Sequence, residues 1–386
     1  MSERRRVLLL ITVYNGRAFV PRCIDSACRL LHDDFDLDIL VLDDASPQPG
    51  WSEELRQFCD ERKVGYYCTP RNLGIPRNVS LGLLSAVEGG YSHVVISNSD
   101  VMYASNAMSQ LLACVESDST IGSATAFSTN ISIYSMPNED PDLHLADQGV
   151  LDWLGAVLAG QYGDTAINIP AGISFSMMIP TDVVREVGVM DPVFGRGYCE
   201  ETDWSLRSRM HGYRIVLAPG SFVYHEGGGS NREAGLLAHG HVTVPAHERI
   251  VDLRYPLFRS EVDAFGASGI LEELHTNSQQ LTVREAGRQF GYVVHVGWLP
   301  RIEAPDIVRV MVAPSGDTPS VTATFKGFSA TIDADGGVAE AIRLFFGREP
   351  SGLDLFSYGP YSQALQLAFP RQAASSGARA NYPERV

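Results

Sequence analysis

The stretch Val7-Leu8-Leu9-Leu10-Ile11-Thr12-Val13-Tyr14-Asn15-Gly16 decides the fold of this chain. A strand with one wet face alternates apolar and polar residues. The nearly unbroken aliphatic run from Val7 to Val13 is instead that of a strand covered on both faces, the habit of parallel sheets. Tyr14-Asn15-Gly16 reads as a turn, and a helical pattern follows through Leu31. Working outward, a second buried strand, Asp38 to Leu42, ends in Asp43-Asp44-Ala45-Ser46. A helix near Glu53 to Arg62 and a short strand Val64 to Cys68 come next. Arg71-Asn72-Leu73-Gly74-Ile75-Pro76-Arg77-Asn78 is a Gly/Pro-punctuated loop that opens a helix running towards Val87. His93 to Ser97 is a strand leading into Asn98-Ser99-Asp100. This β-α-β-α-β alternation predicts an α/β chain with an open, mostly parallel, doubly wound sheet.

In such sheets ligands bind outside the carboxyl ends of the strands. The polar clusters Thr12/Tyr14, Asp43/Asp44, Arg71/Asn72 and Asn98/Asp100 all fall at those ends. One such cluster is unremarkable, because βα loops are polar anyway. Four with the same placement point to a single cleft.

A second stretch carries chemistry. From Gly197 the chain reads G-Y-C-E-E-T-D-W-S-L-R, followed by a strand-like run and V-Y-H-E-G-G. Glu200, Glu201 and Asp203 sit just before or inside a short helical pattern, in which Asp203 and Arg207 are spaced as an i, i+4 charge pair. Gly212 is placed to end that helix. A helix dipole favours an ionised carboxylate in the first turn, which suits a general base. Val223-Tyr224-His225 is a strand end that delivers one imidazole, a possible metal ligand. The plainer reading, a surface helix with acidic caps and a buried histidine, gives way to the company these residues keep.

With 386 residues, 45% hydrophobic and 20% charged, the chain has the composition of a soluble globular protein with room for one large domain and an appendage. A formal charge of −16 argues against nucleic acid or an anionic membrane as the main partner, since phosphate backbones need a basic face. The six cysteines form no CxxC pair, and free thiols in a reducing cytosol are expected. Arg4-Arg5-Arg6 before the first apolar run imitates a signal peptide. The run is short, however, and lacks a small-residue cleavage site. No apolar run approaches the ~18 residues of a membrane span. A cytoplasmic location is therefore expected. Asn78-Val79-Ser80 and Asn130-Ile131-Ser132 match the glycosylation sequon but mean little in that compartment.

Taken together, T-V-Y-N-G, V-L-D-D-A-S, R-N-L-G-I-P-R-N, S-N-S-D, G-Y-C-E-E-T-D-W-S-L-R and Y-H-E-G-G resemble a family 2 glycosyltransferase of the GT-A fold. Ser128 to Pro137, Ile169 to Ile179 and Asp191 to Tyr198 narrow the resemblance to a bacterial subgroup active in polysaccharide or secondary-metabolite glycosylation. The resemblance covers about the first 260 residues. It implies a Rossmann-like, mostly parallel sheet with helices on both faces. It also implies an inverting, metal-dependent transfer of a sugar from a UDP-, dTDP- or GDP-linked donor to a hydroxyl of a glycan or small-molecule acceptor.

Residue by residue, the resemblance places Thr12 and Tyr14 against the nucleotide base, with Asp44 accepting a base N–H. Asp43 is read instead as a strand-end cap. Arg71 and Arg77 are candidates for the diphosphate or the base rim. Asn98-Ser99-Asp100 occupies the D-x-D-like metal position. Asp100 and His225 would hold Mn²⁺ or Mg²⁺, and Asn98 departs from the usual first acid. Glu201 is the expected base and Asp203 the second candidate, with Glu200 orienting substrate or structural. Trp204 is expected in the core, and Cys199 is read as a packed thiol. Gly172 matches a loop where backbone approaches the donor sugar. The acidic, loop-rich segment Asn138 to Asp164 is placed to meet the acceptor.

The expected organisation is a glycosyltransferase domain over 1–266, a small α+β domain over 267–371 and an unstructured tail over 372–386. Strands at Tyr292 to Val296, Ile307 to Val312 and Val321 to Phe325, and a helix at Val338 to Phe346, define the second part. It would bind acceptor, cover the cleft or form a homodimer. Two other readings compete. A nucleotidyltransferase would want a Gly-rich basic loop after the first strand, where Tyr14-Asn15-Gly16 stands. A non-catalytic sugar-nucleotide-binding scaffold is suggested by Asn98 but opposed by the intact acids.

Overall fold

The computed structural model describes residues 4–129, 131, 136, 147–226, 244–297, 306–313, 319–355 and 359–375. Those residues divide into two compact units, the first ending at Leu271 and the second beginning at Glu272. The Asn130 sequon, Gly227 and Gly228 of the Y-H-E-G-G motif, residues 138–146 of the expected acceptor segment and residues 376–386 of the tail lie outside the described residues.

The first unit is built on a nine-stranded sheet. Its strands are β1 (Arg5–Val13), β2 (Phe35–Asp43), β3 (Gly65–Cys68), β4 (His93–Ser97), β5 (Val101–Tyr103), β6 (Ile121–Ser128), β7 (Ile167–Asn168), β8 (Ser176–Pro180) and β9 (Arg214–His225). The order is β3-β2-β1-β4-β8-β6-β9-β5, with β7 also on β9. The strands β3, β2, β1, β4, β6 and β9 run one way, and β8, β5 and β7 run against them. The expected mostly parallel α/β sheet is present. Val7 to Ile11 are buried without interruption, as a strand covered on both faces requires.

The connecting helices are α1 (Val20–Ala27), α2 (Trp51–Arg62), α3 (Ile75–Glu88), α4 (Ala107–Glu116), α5 (Gln148–Tyr162), α6 (Thr181–Val187) and α7 (Glu200–Met210). Gly82 lets α3 lie close on β1, where an added Cβ would stand 2.4 Å from Leu10 Cδ1. The segment Asn138 to Asp164 is not loop-rich where it is described. Leu151, Leu154 and Leu158 share a buried face with Gly155, and that spacing makes α5. Two further helices, Pro245–Arg254 and Phe258–Ala267, follow β9.

The second unit holds a five-stranded sheet in the order β13-β12-β11-β10-β14. Here β10 is Tyr292–Val296, β11 Val308–Ala313, β12 Ser320–Phe325, β13 Phe328–Ile332 and β14 Gly352–Leu355. The first three pairings from β13 to β10 are two antiparallel and one parallel, and β14 adds parallel to β10. Helix Val338–Phe346 ends at Gly347 in the left-handed region, and its Phe346 ring stacks on Tyr292 with centroids 4.1 Å apart. A short helix, Pro370–Ser375, takes in the first residues of the expected tail.

Candidate active site

The ends of β1 and β2 are tied to each other before they can meet a ligand. Asn15 is held in the left-handed region (φ 63), where its N–H donates to Ser46 Oγ at 2.8 Å. Asp43 accepts from Ser46 Oγ and Ser52 Oγ, both at 2.6 Å, and from Tyr66 OH at 2.8 Å. It is the strand-end cap expected of it. Thr12 Oγ1 donates to the Ser97 carbonyl at 3.1 Å, joining β1 to β4, and Tyr14 is half-buried beside it.

Asp44 does something the sequence did not suggest. Its Oδ1 accepts from the Leu73 N–H at 2.8 Å and Thr69 Oγ1 at 3.0 Å, and its Oδ2 from the Gly74 N–H at 2.8 Å. Both oxygens of this buried carboxylate therefore clamp the loop before α3. A role for Asp44 as acceptor of a base N–H rests on whatever lone-pair capacity remains. The clamped loop displays Arg71 and Arg77, both exposed and neither ion-paired among the described residues. Gly74 (φ +82) packs this loop on the next one. A Cβ there would stand 2.2 Å from the Gly195 carbonyl oxygen.

Asp100 and His225, far apart in sequence, meet through the sheet. Val101 pairs with His225 in the β5–β9 ladder, and the Glu226 N–H donates to the Asp100 carbonyl at 2.9 Å. His225 Nε2 then stands 3.3 Å from Asp100 Oδ1 and 3.4 Å from the Asn98 side-chain amide. Two cis ligands of an octahedral Mg²⁺ or Mn²⁺ at ~2.1 Å stand ~3 Å apart, so this pair suits one edge of such a site. No group of three or more His, Cys, Asp or Glu that could hold a metal occurs among the described residues. The remaining ligands would have to be oxygens of donor and water.

The acids of α7 divide into two kinds. Glu200 is buried, and the Oε2 atoms of Glu200 and Glu201 are sheltered with no hydrogen-bond partner among the described residues. Burial, then the charge of Glu201, pushes the Glu200 carboxyl well above the usual carboxylate range. Burial raises Glu201 as well. Asp203 corrects the expectation of a second candidate base. It is 0% exposed, and its oxygens accept from Arg207 Nε at 2.9 Å, Arg254 Nη1 at 2.7 Å and Tyr255 OH at 2.9 Å. A carboxylate that is fully buried and already held by two guanidiniums and a phenol is poorly placed to take a proton from a substrate. It is a structural hub, and Arg254 also binds Asp191 at 2.8 Å.

Trp204 is fully buried and donates to the Gly188 carbonyl, as a core residue does. Burial pushes the Cys199 thiol up to about 12, so it is not a nucleophile at neutral pH. Gly172 has a packing reason as well. It is glycine because the protein interior is tight there: a Cβ would stand 2.7 Å from Met177 Sδ and 3.0 Å from Thr125 Oγ1. The support residues Asp191, Arg254 and Tyr255 escaped the sequence reading because no spacing rule couples residues some fifty positions apart.

These strand-end clusters stand on one mostly parallel α/β sheet. Within it, residues 9–169 match the family model of glycosyl transferase family 2. An undecaprenyl-phosphate mannosyltransferase of Micrococcus luteus is 24% identical over 241 residues, covering 62% of this chain and 92% of that protein. Among solved structures, GalNAc-T7 with UDP, GalNAc and Mn²⁺ is 16% identical with a TM-score of 0.45, over 58% of this chain. This chain spans only 44% of that protein. The mannosyltransferase PcManGT from Pyrobaculum calidifontis, with GDP-Man and Mn²⁺, is 14% identical with a TM-score of 0.43, over 72% of this chain and 75% of its own. No described helix is long and apolar enough to cross a membrane.

Proposed function

We propose that the protein transfers a sugar from a nucleoside-diphosphate donor to an acceptor hydroxyl with inversion at the anomeric carbon, using Glu201 as general base. The observation that carries this reading is the Glu200–Glu201 pair, whose Oε2 atoms are sheltered at the start of α7 without a partner among the described residues. Buried acceptors left without partners cost stability, and here two of them fall on adjacent acids.

In the proposed reaction the acceptor oxygen bonds to the anomeric carbon as the bond from that carbon to the diphosphate oxygen breaks. The acceptor proton passes to Glu201, and the leaving diphosphate keeps the electron pair. Burial raises both acids, and a carboxylate of raised pKa is the stronger base once ionised. Asp100 and His225 would hold Mn²⁺ or Mg²⁺, which when bound neutralises charge on the diphosphate. Thr12 and Tyr14 would line the base, and Arg71 and Arg77 the phosphates.

The test is direct. UDP-, GDP- and dTDP-sugars are incubated with the protein and Mn²⁺, with free hexoses or lipid-linked glycans as acceptors, and nucleotide release and product anomers are followed. One donor class giving an inverted product bears the reading out. Retention of configuration, or no release with any donor, overturns it.

A further inference from the structure

The loop that delivers the acid pair is conformationally costly. Four of its residues have positive φ: Gly195 (56), Gly197 (131), Tyr198 (72) and Cys199 (72). For Tyr198 and Cys199 the left-handed region carries a steric penalty, and such residues persist only where their surroundings hold them. The following residues are Glu200 and Glu201, so the path of this loop sets where their carboxyls point.

One side chain from another segment holds it. His247, in the helix Pro245–Arg254, lies with Nδ1 at 2.9 Å from the Gly197 carbonyl oxygen and 3.2 Å from that of Tyr198. Carbonyl oxygens only accept, so Nδ1 carries the proton and donates to both. The ring is fixed in turn by an edge-on contact with Phe194, centroids 5.6 Å apart. The same helix adds Val251 to the cluster of Phe194 and Leu206, and Arg254 reaches Asp203 in α7.

We propose that His247 is a positioning residue for the acid pair. Its Nδ1–H braces the left-handed run from Gly197 to Cys199 and so fixes the first turn of α7 in the geometry transfer needs. This rests on the reading of Glu201 as base. An asparagine at this position presents its side-chain N–H₂ close to where Nδ1 lies, whereas alanine presents nothing.

The experiment compares wild type with His247→Ala and His247→Asn in two measurements. Steady-state transfer should show kcat lowered about tenfold or more in His247→Ala with donor KM little changed, because misaligned acid–base groups lose rate rather than binding. In His247→Asn, most of kcat should return. Hydrogen exchange at the amides of Gly197 and Asp203, which bond to the Phe194 and Cys199 carbonyls, should speed up in His247→Ala and not in His247→Asn. Unchanged exchange in His247→Ala overturns the brace, as does an asparagine variant no better than alanine. If wild type transfers no sugar, the functional reading fails alone, and the exchange result still decides the brace.

Discussion

Asp100 and His225 are set side by side by backbone pairing: the β5–β9 register opposes Val101 to His225, which leaves Nε2 3.3 Å from Asp100 Oδ1. Neither side chain has to search for the other, so the pair is organised before any donor arrives. A thermal-shift series with nucleotide sugars and Mn²⁺ therefore has a clear expectation. A donor at a hundred times its Kd adds about 2.7 kcal/mol to wild type. The Mn²⁺-dependent part of that gain should vanish in Asp100→Ala and shrink in His225→Ala. An unchanged metal response in Asp100→Ala excludes this pair as the metal ligands.

Glu201→Gln keeps the shape of the side chain and removes the proposed base. Transfer should fall by roughly 10²–10⁴-fold, the usual reach of a general base, with donor KM near wild type. In wild type the rate should rise with pH through a midpoint above the ordinary 4.5, since the ionised form is the active one and burial raises the pKa. A rate that falls with rising pH through that range contradicts the assignment.

Glu200→Gln separates stability from catalysis. A carboxyl whose folded pKa is raised stabilises the fold below its unfolded pKa. That contribution is lost as pH rises through the folded value. The glutamine variant has no such loss. It should melt higher than wild type at pH 8, and the difference should disappear below pH 4.5. Equal melting curves at pH 8 show that the charge is not buried.

Asp44→Ala strips acceptors from the Leu73 and Gly74 N–H groups, while Thr69 Oγ1 can still donate to the Arg71 carbonyl at 2.9 Å. Each orphaned donor costs about 1–3 kcal/mol where water cannot reach it. Urea unfolding should show a loss of about 3 kcal/mol or more. A loss under about 0.5 kcal/mol, the size of an ordinary surface substitution, removes the clamp from the account.

Gly74→Ala and Gly212→Ala form a matched pair. Both glycines have positive φ, but a Cβ at Gly74 meets a carbonyl oxygen at 2.2 Å, whereas nothing lies within 4 Å of one at Gly212. The second should cost only the left-handed strain of about 1 kcal/mol. The first should cost distinctly more, and donor affinity should drop as Arg71 and Arg77 move with the loop. Equal melting temperatures for the two variants contradict the packing described.

The sheet was legible because its signal is local. A run such as Val7 to Ile11 or His93 to Ser97 declares burial on both faces within a few residues, and the polar strand ends follow from topology alone. The Asp100–His225 pairing was reached through resemblance, and the β5–β9 register supplies its physical reason. What stayed hidden depends on long-range partners. Asp44 and Asp203 are acids in suggestive places, and only the Leu73 N–H or the Arg254 guanidinium reveals them as fasteners. At Gly172 the close contact of Met177 and Thr125 is likewise invisible in the sequence. The helix α5 was missed because its apolar residues follow an acidic, Pro-bearing stretch that reads as loop.

The network around Asp203 has a practical corollary for anyone cutting this chain into pieces. Family matching stops at residue 169, and a natural-looking boundary falls at the end of β9. A fragment ending at Glu226 would retain Asp203 in the interior with Arg207 and discard the Arg254 guanidinium and the Tyr255 hydroxyl that also bind it. Removing partners from a buried carboxylate is destabilising. The smallest autonomous portion of the first unit therefore extends at least through Tyr255. Expression boundaries drawn from sequence matching alone would sever α7 from the Arg254 guanidinium that binds its Asp203.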